Sequence, residues 1–333
     1  MHPLTHEATR RLAELTAAGT RRTIEPPRGI DFASNDTLGL RFDPRVLEAA
    51  ATALHEYGIG AGAARLLRGD TPLHGELEEA MCAATGHEDA LHFPSGFHAN
   101  VGVLQTLGAE GWTIHSDAHN HASIIDGCRA AKAETVVYPH GELPDPAADR
   151  ALIVTESVFS MGGDRPPIPA RAAATIVDEA HAIGLFAPAP TATVSVIPCG
   201  KALAGAGAIV AGPRPVIELL RSACRTFLFT TAAPPPVVAG VLAAWRIAQA
   251  EPERAARAVE LARRIDPDAQ SPIVMIPCDD AEHAMRRQRT LQQQGLDVRA
   301  VRPPTVATPA LRLSLHADRT DDEVARLQEA LAC

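Results

Sequence analysis

Residues 151–157 read ALIVTES and residues 175–181 read TIVDEAH. Each is a short apolar run that breaks into acid, hydroxyl and imidazole side chains at its carboxyl end. A run without polar alternation fits a strand covered on both faces, as in a parallel sheet flanked by helices. The same pattern recurs on either side: DALHF (89–93), TIHSD (113–117), TVVYP (135–139) and GAIVAG (207–212). Ala/Leu-rich stretches at 44–57, 73–85, 97–107, 121–131 and 215–223 separate these runs and read as helices. Alternating strands and helices predict an α/β fold with a mostly parallel central sheet and helices on both faces. TTAAPPP (230–236) interrupts the pattern, and a long helix follows through AGVLAAWRIAQ. From about residue 250 the order is helix, strand (PIVMIP), helix, two strands (DVRAV, ALRLSLH) and a last helix, a small α+β domain. The expected division is an N-terminal helix and arm (1–44), a large domain (45–240) and a small C-terminal domain (241–333).

Composition narrows the function classes. The 333 residues are 46% hydrophobic and 21% charged, as in an ordinary globular chain. A net charge of -9 and the lack of a dense Lys/Arg block argue against nucleic acid or an anionic membrane as partner. The longest apolar stretches are too short and Gly-rich to span a bilayer, and the polar N-terminus does not read as a signal peptide. Six scattered cysteines form no CxxC pair, so no metal ribbon or disulfide scaffold is expected, and a cytoplasmic setting is the default. Of 31 basic residues only Lys132 and Lys201 are lysines. Any mechanism that needs a nucleophilic amine has those two candidates.

VDEAH (177–181) resembles a nucleotide-hydrolysing acid box, but the chain's one Gly-Lys pair, Gly200-Lys201, has Ser195 where a phosphate loop needs glycine and Ala202 after the lysine. Ligands in open α/β sheets gather at the carboxyl ends of strands. Asp178 is expected there, with His181 three residues later; alone, they fit a helix cap and a surface imidazole equally well. Ser95-Gly96-Phe97 follows DALHF and opens a helix, so its amides could hold an anion, or simply form a βα turn. His121 opens the helix after TIHSD, where an imidazole can stack on a ring or carry a proton. Lys201 follows VSVIPCG among apolar neighbours, a setting that favours Schiff-base chemistry; Lys132 lies at a polar helix end and reads as surface. Taken together, these strand ends supply an anion cradle, a flat imidazole, an acid, a second imidazole and one amine. That set matches the phosphate, ring face, pyridine nitrogen, phenolic oxygen and aldehyde of pyridoxal 5′-phosphate (PLP).

At this point the residues resemble a family. SNDTLGL (34–40), GIGAGAARLLRGDTPLHGELE (58–78), FPSGFHAN (93–100), NHAS (120–123), TESVFSMGGD (155–164), VDEAHAIG (177–184), Gly200-Lys201, FTTAAPP (229–235) and VRPPTV…LRLSL (301–315) are collinear with the α-oxoamine synthases. These are fold-type-I PLP-dependent transferases. The resemblance covers roughly residues 30–315. It implies that Lys201 forms the Schiff base and later moves the substrate Cα proton. Asp178 would pair with the pyridinium nitrogen, His181 with the phenolic oxygen, and His121 would stack on the ring. Ser95, Gly96 and Phe97 would hold the phosphate, joined by Thr231 from the facing subunit of a homodimer. Glu156 and Ser160 would border the cofactor, and Asn35 and Arg312 would hold the amino-acid carboxylate. VRPPTV resembles the biotin-pathway branch, which implies decarboxylative condensation of L-alanine with a pimeloyl thioester on coenzyme A or an acyl carrier protein. The alternatives are a glycine-using member with another acyl-CoA and a non-catalytic relative. Two departures stand out: Pro198 replaces the Thr or Ser usual three residues before the lysine, and Thr37 replaces an aromatic residue.

Overall fold

The structure is a computed structural model that describes residues 2–144, 149–168 and 174–332. In chain order its elements are α1 (Pro3–Ala17), β1 (Ile30–Asp31), α2 (Pro44–Tyr57), α3 (Pro72–Thr85), β2 (Asp89–Phe93), α4 (Gly96–Leu107), β3 (Thr113–Asp117), α5 (Ala122–Ala130), β4 (Glu134–Tyr138), β5 (Ala151–Glu156), β6 (Ala174–Asp178), β7 (Val194–Pro198) and β8 (Ala208–Gly212). There follow α6 (Arg214–Ala223), α7 (Arg225–Leu228), α8 (Pro235–Ala250), α9 (Glu253–Ile265), β9 (Ile273–Pro277), α10 (Ala281–Gln293), β10 (Leu296–Asp297), β11 (Arg299–Val301), β12 (Ala310–Ser314) and α11 (Asp321–Ala332).

Seven strands form the central sheet in the order β2-β8-β7-β6-β5-β3-β4. All pairings from β7 to β4 are parallel, and β8 alone runs against both of its neighbours. Consequently β2, β3, β5, β6 and β7 all point their carboxyl ends to one edge. Strands β5 and β7 are buried at every position, as runs without polar alternation require. The expectation of two-sided burial fails for TVVYP: β4 is the sheet's outer strand, and only Tyr138 of its five residues is buried. β-branched residues fit a strand of either exposure, so those residues could not separate edge from interior. Burial of β7 comes from its place between β6 and β8.

One apolar cluster joins α2, α3 and α8 to one face of this sheet through Val46, Leu77, Val241 and Ile209. A second covers the opposite face through Val103, Ile124, Val154 and Leu220. A third lies in the three-stranded sheet β11-β12-β9 and its helices α9, α10 and α11, and Phe32 of the N-terminal arm inserts into it. That insertion brings the arm's Asn35 beside β12. Nothing in α1 is buried within the chain. Among the described residues, no helix is long and apolar enough to cross a membrane.

Candidate active site

Five of the sheet's carboxyl ends open into one cavity of about 430 Å³. Ser95, Gly96, Phe97, His121, Glu156, Ser160, Asp178, His181 and Lys201 all line it, together with Asn35 and Arg312. A larger groove, about 750 Å³, lies between α2 and α8, but no imidazole, thiol or lysine lines it, so size does not locate the chemistry. Lys132 is exposed and lines neither cavity.

Each side chain is positioned by local sequence. Asp178 is the last residue of β6 and 4% exposed. Its Oδ2 accepts from Asn100 Nδ2 at 2.7 Å, and its Oδ1 accepts from the Ala180 amide at 2.8 Å. A carboxylate so buried needs such donors. Asn100 also donates to Ser123 Oγ at 2.9 Å, which lies 2.8 Å from His121 Nδ1. The acid and the imidazole therefore belong to one network. Asn100 and Ser123 had no assigned role in the sequence reading, although Asn100 stands one helical turn after Gly96 and so faces the same side of α4.

His121 caps α5, accepting from the Ser123 amide at its Nδ1. Its backbone amide donates to Glu156 Oε1 at 2.6 Å. Glu156 and Asp178 are register partners on adjacent strands. Burial and that neighbouring acid push the Glu156 carboxyl well above the ordinary range, opposed by the His121 amide and by Lys201. Burial likewise holds His121 and, far more strongly, His181 below the usual imidazole range, with Lys201 adding to both effects. Both rings are neutral at physiological pH, and a neutral ring can accept a proton or a hydrogen bond.

Ser95 caps α4 by accepting from the His98 amide at 3.2 Å, which leaves the first-turn amides of Gly96 and Phe97 at the cavity wall. Pro198 packs against this turn: a Cβ built on Gly96 would lie 2.8 Å from Pro198 Cγ. Pro198 thus supplies shape here and no hydroxyl. Lys201 follows two residues after Cys199, in a turn closed by the Ala204 amide bonding to the Lys201 carbonyl at 2.8 Å.

Arg312 enters from β12. Its Nε donates to the Ser160 carbonyl at 2.8 Å, and its Nη2 donates to Asn35 Oδ1 at 3.0 Å. Burial lowers its pKa to about 10, which leaves it charged at neutral pH. Among the described residues it has no carboxylate partner. Thr231 is exposed and does not line this chain's own cavity.

The donor set fits PLP. Helix amides suit a phosphate, a buried acid suits a pyridinium nitrogen, and an amine and a neutral imidazole suit an aldehyde and its adjacent oxygen. Among the described residues no group of three or more His, Cys, Asp or Glu is arranged to hold a metal ion.

Comparison with known proteins agrees with this chemistry. The family model for aminotransferase class I and II matches residues 27–331. An 8-amino-7-oxononanoate synthase of Methylobacterium sp. (strain 4-46) is 41% identical over 360 residues, covering 97% of this chain and 95% of that protein. A serine palmitoyltransferase from S. paucimobilis, solved with bound PLP and myriocin, superposes with a TM-score of 0.88 at 27% identity, over 99% of this chain and 97% of that one. An 8-amino-7-oxononanoate synthase from Francisella tularensis superposes with a TM-score of 0.77 at 28% identity, over 91% and 97% of the two chains. The chain belongs to the aminotransferase class I and II family, in its α-oxoamine synthase branch, and its cofactor is pyridoxal 5′-phosphate.

Proposed function

We infer that this chain is an 8-amino-7-oxononanoate synthase, condensing L-alanine with a pimeloyl thioester and releasing CO2 and the free thiol. The observation that carries the reading is Arg312: a charged, buried guanidinium with no acidic partner among the described residues, opening into the cavity that holds Lys201. A buried cation of this kind calls for an anionic ligand, and a planar guanidinium suits a carboxylate.

The cofactor, when bound, supplies an aldehyde carbon and an electron-accepting ring. Gly96 and Phe97 would hold its phosphate through backbone amides, in a turn that Ser95 fixes by capping it. Asp178, kept in place by Asn100 and the Ala180 amide, would keep the ring nitrogen protonated. His181 would bond the phenolic oxygen, and His121 would pack against the ring. Glu156 accepts from the His121 amide and so holds the turn that carries that imidazole. Asn35 and the Ser160 carbonyl aim Arg312, which grips the alanine carboxylate. Lys201 takes the alanine Cα proton and returns a proton to the same carbon after CO2 has left. A proton transfer of this kind contributes about 10²–10⁴-fold to a rate.

The test is turnover of L-alanine with pimeloyl thioesters of coenzyme A and of acyl carrier protein. Lys201→Ala is expected to lose turnover on the order of 10⁴-fold or more. Full turnover by that variant would sink the mechanism. Preference for glycine over alanine would move the chain to another member of the same branch.

A further inference from the structure

His140 lies outside the cavity, in the turn after β4, and no step above uses it. Its Nδ1 is 2.9 Å from Asp117 Oδ1, and its Nε2 is 2.8 Å from Asp164 Oδ2. A neutral imidazole has one N–H and can satisfy one carboxylate; bonding two through both nitrogens calls for the imidazolium. The ring stacks on His119 at 4.1 Å and meets the Phe159 ring edge-on at 4.4 Å, so its orientation is fixed by packing as well as by charge.

The two carboxylates do not line the cavity but anchor segments that supply different walls of it. Asp117 ends β3 and also accepts from the His119 amide at 2.8 Å, which shapes the turn that delivers His121. Asp164 closes the loop 159–164: its carbonyl accepts from the Phe159 amide at 3.1 Å, and the Phe159 carbonyl accepts from the Gly163 amide at 2.9 Å. Ser160 sits in that loop, and its carbonyl is the acceptor for Arg312 Nε. A continuous chain of polar contacts and backbone thus runs from Asp117 through His140 and Asp164 to Ser160 and Arg312.

We propose that His140 is a positioning residue: its double bridge fastens the 159–164 loop to the end of β3 and so fixes the Arg312 guanidinium for substrate carboxylate. This role rests on the reading of Arg312 as the carboxylate holder. The titratable groups facing the ring are Asp117, Asp164 and His119; Tyr138 lies beside Asp117. Although burial opposes it, the two acids raise the His140 pKa above its usual value. A raised value keeps the bridge intact at lower pH and breaks it as pH rises through the folded-state pKa.

The holoenzyme is compared with His140→Ala, Asp164→Asn and Arg312→Lys by measuring kcat, the KM for L-alanine and the absorbance of bound cofactor from about pH 6 to 9. Arg312→Lys is the reference and must raise KM for alanine. His140→Ala and Asp164→Asn are each expected to raise that KM roughly 5- to 20-fold, with kcat and cofactor absorbance changed less than about twofold. The alkaline rise in KM of the wild type should be flattened in His140→Ala, which has no bridge left to lose. If Arg312→Lys raises KM while His140→Ala keeps the wild-type KM and pH profile, the positioning role is wrong and the carboxylate reading stands. If Arg312→Lys leaves KM unchanged, the carboxylate reading itself is wrong. Equal losses of cofactor binding, kcat and KM in both bridge variants would make the cluster a general support of the fold and would also overturn the proposal.

Discussion

His92 is 2% exposed on β2, and neither ring nitrogen has a hydrogen-bond partner among the described residues. Its ring faces His74 at 5.5 Å, and a Cβ on Gly207 would lie 2.4 Å from its Nε2. Burial, then the neighbouring His74 and Arg65, holds its pKa well below 6.5. Below that value the unfolded chain takes up a proton that the folded chain refuses. Stability from this residue is therefore complete above about pH 6.5 and declines as the solution is acidified. A buried polar group without a partner costs about 1–3 kcal/mol. His92→Leu should raise the melting temperature at neutral pH, and should reduce its fall between about pH 7.5 and 5.5. His74 and His181 are depressed in the same direction, so the acid sensitivity should shrink and not vanish. Melting curves at several pH values decide it: an unchanged acid slope would mean the ring is solvated or paired in solution.

At the scale of elements, the junction of α4 with β7 is a close contact in the cavity wall. Gly96 and Pro198 come from segments about a hundred residues apart, and the missing Cβ of one receives the ring of the other. Gly96→Ala should push the first turn of α4 away from the cavity and weaken cofactor binding by roughly 10- to 100-fold, read by titrating the apoenzyme with PLP. Adding Pro198→Ala removes Cγ and should recover part of that loss. No recovery in the double variant would show that the contact is not what sets the turn. This pairing also marks how far sequence reasoning reached. Asp178, His181, His121, Lys201 and the Ser95 turn were legible because each ends or follows an apolar run, and strand ends share one edge in such a sheet. Asn100 had only its spacing of one helical turn from Gly96, and Ser123, Asp164 and His140 had no assigned role, because what defines each is a partner elsewhere in the chain. The exposure of β4 was hidden for a similar reason: TVVYP has the composition of an interior strand, and only its place in the strand order puts it outside. Asn35 and Arg312 were named through the family resemblance, and their 3.0 Å contact depends on Phe32 packing into the third apolar cluster.

For the whole molecule, large apolar side chains stand exposed on the segments flanking the site: Ile59 and Leu67 on the 58–69 stretch, Phe97 on α4 and Phe229 just before Thr231. Surface of this kind marks an interface with a partner, and Thr231 lies away from its own chain's cavity. We propose a homodimer in which each Thr231 serves the phosphate of the facing subunit. Such shared sites complement in a predictable way. A Lys201→Ala subunit keeps Thr231, and a Thr231→Ala subunit keeps Lys201, so a mixed dimer contains one site with both groups and one with neither. Random pairing makes about half the dimers mixed and restores both groups to about a quarter of all sites, each with wild-type kinetics. Neither parent preparation contains such a site. The mixture, after subunit exchange in mild denaturant, should therefore exceed the average activity of its two parents and regain the wild-type response to low PLP concentration. If the mixture merely averages its parents, Thr231 does not act across the interface.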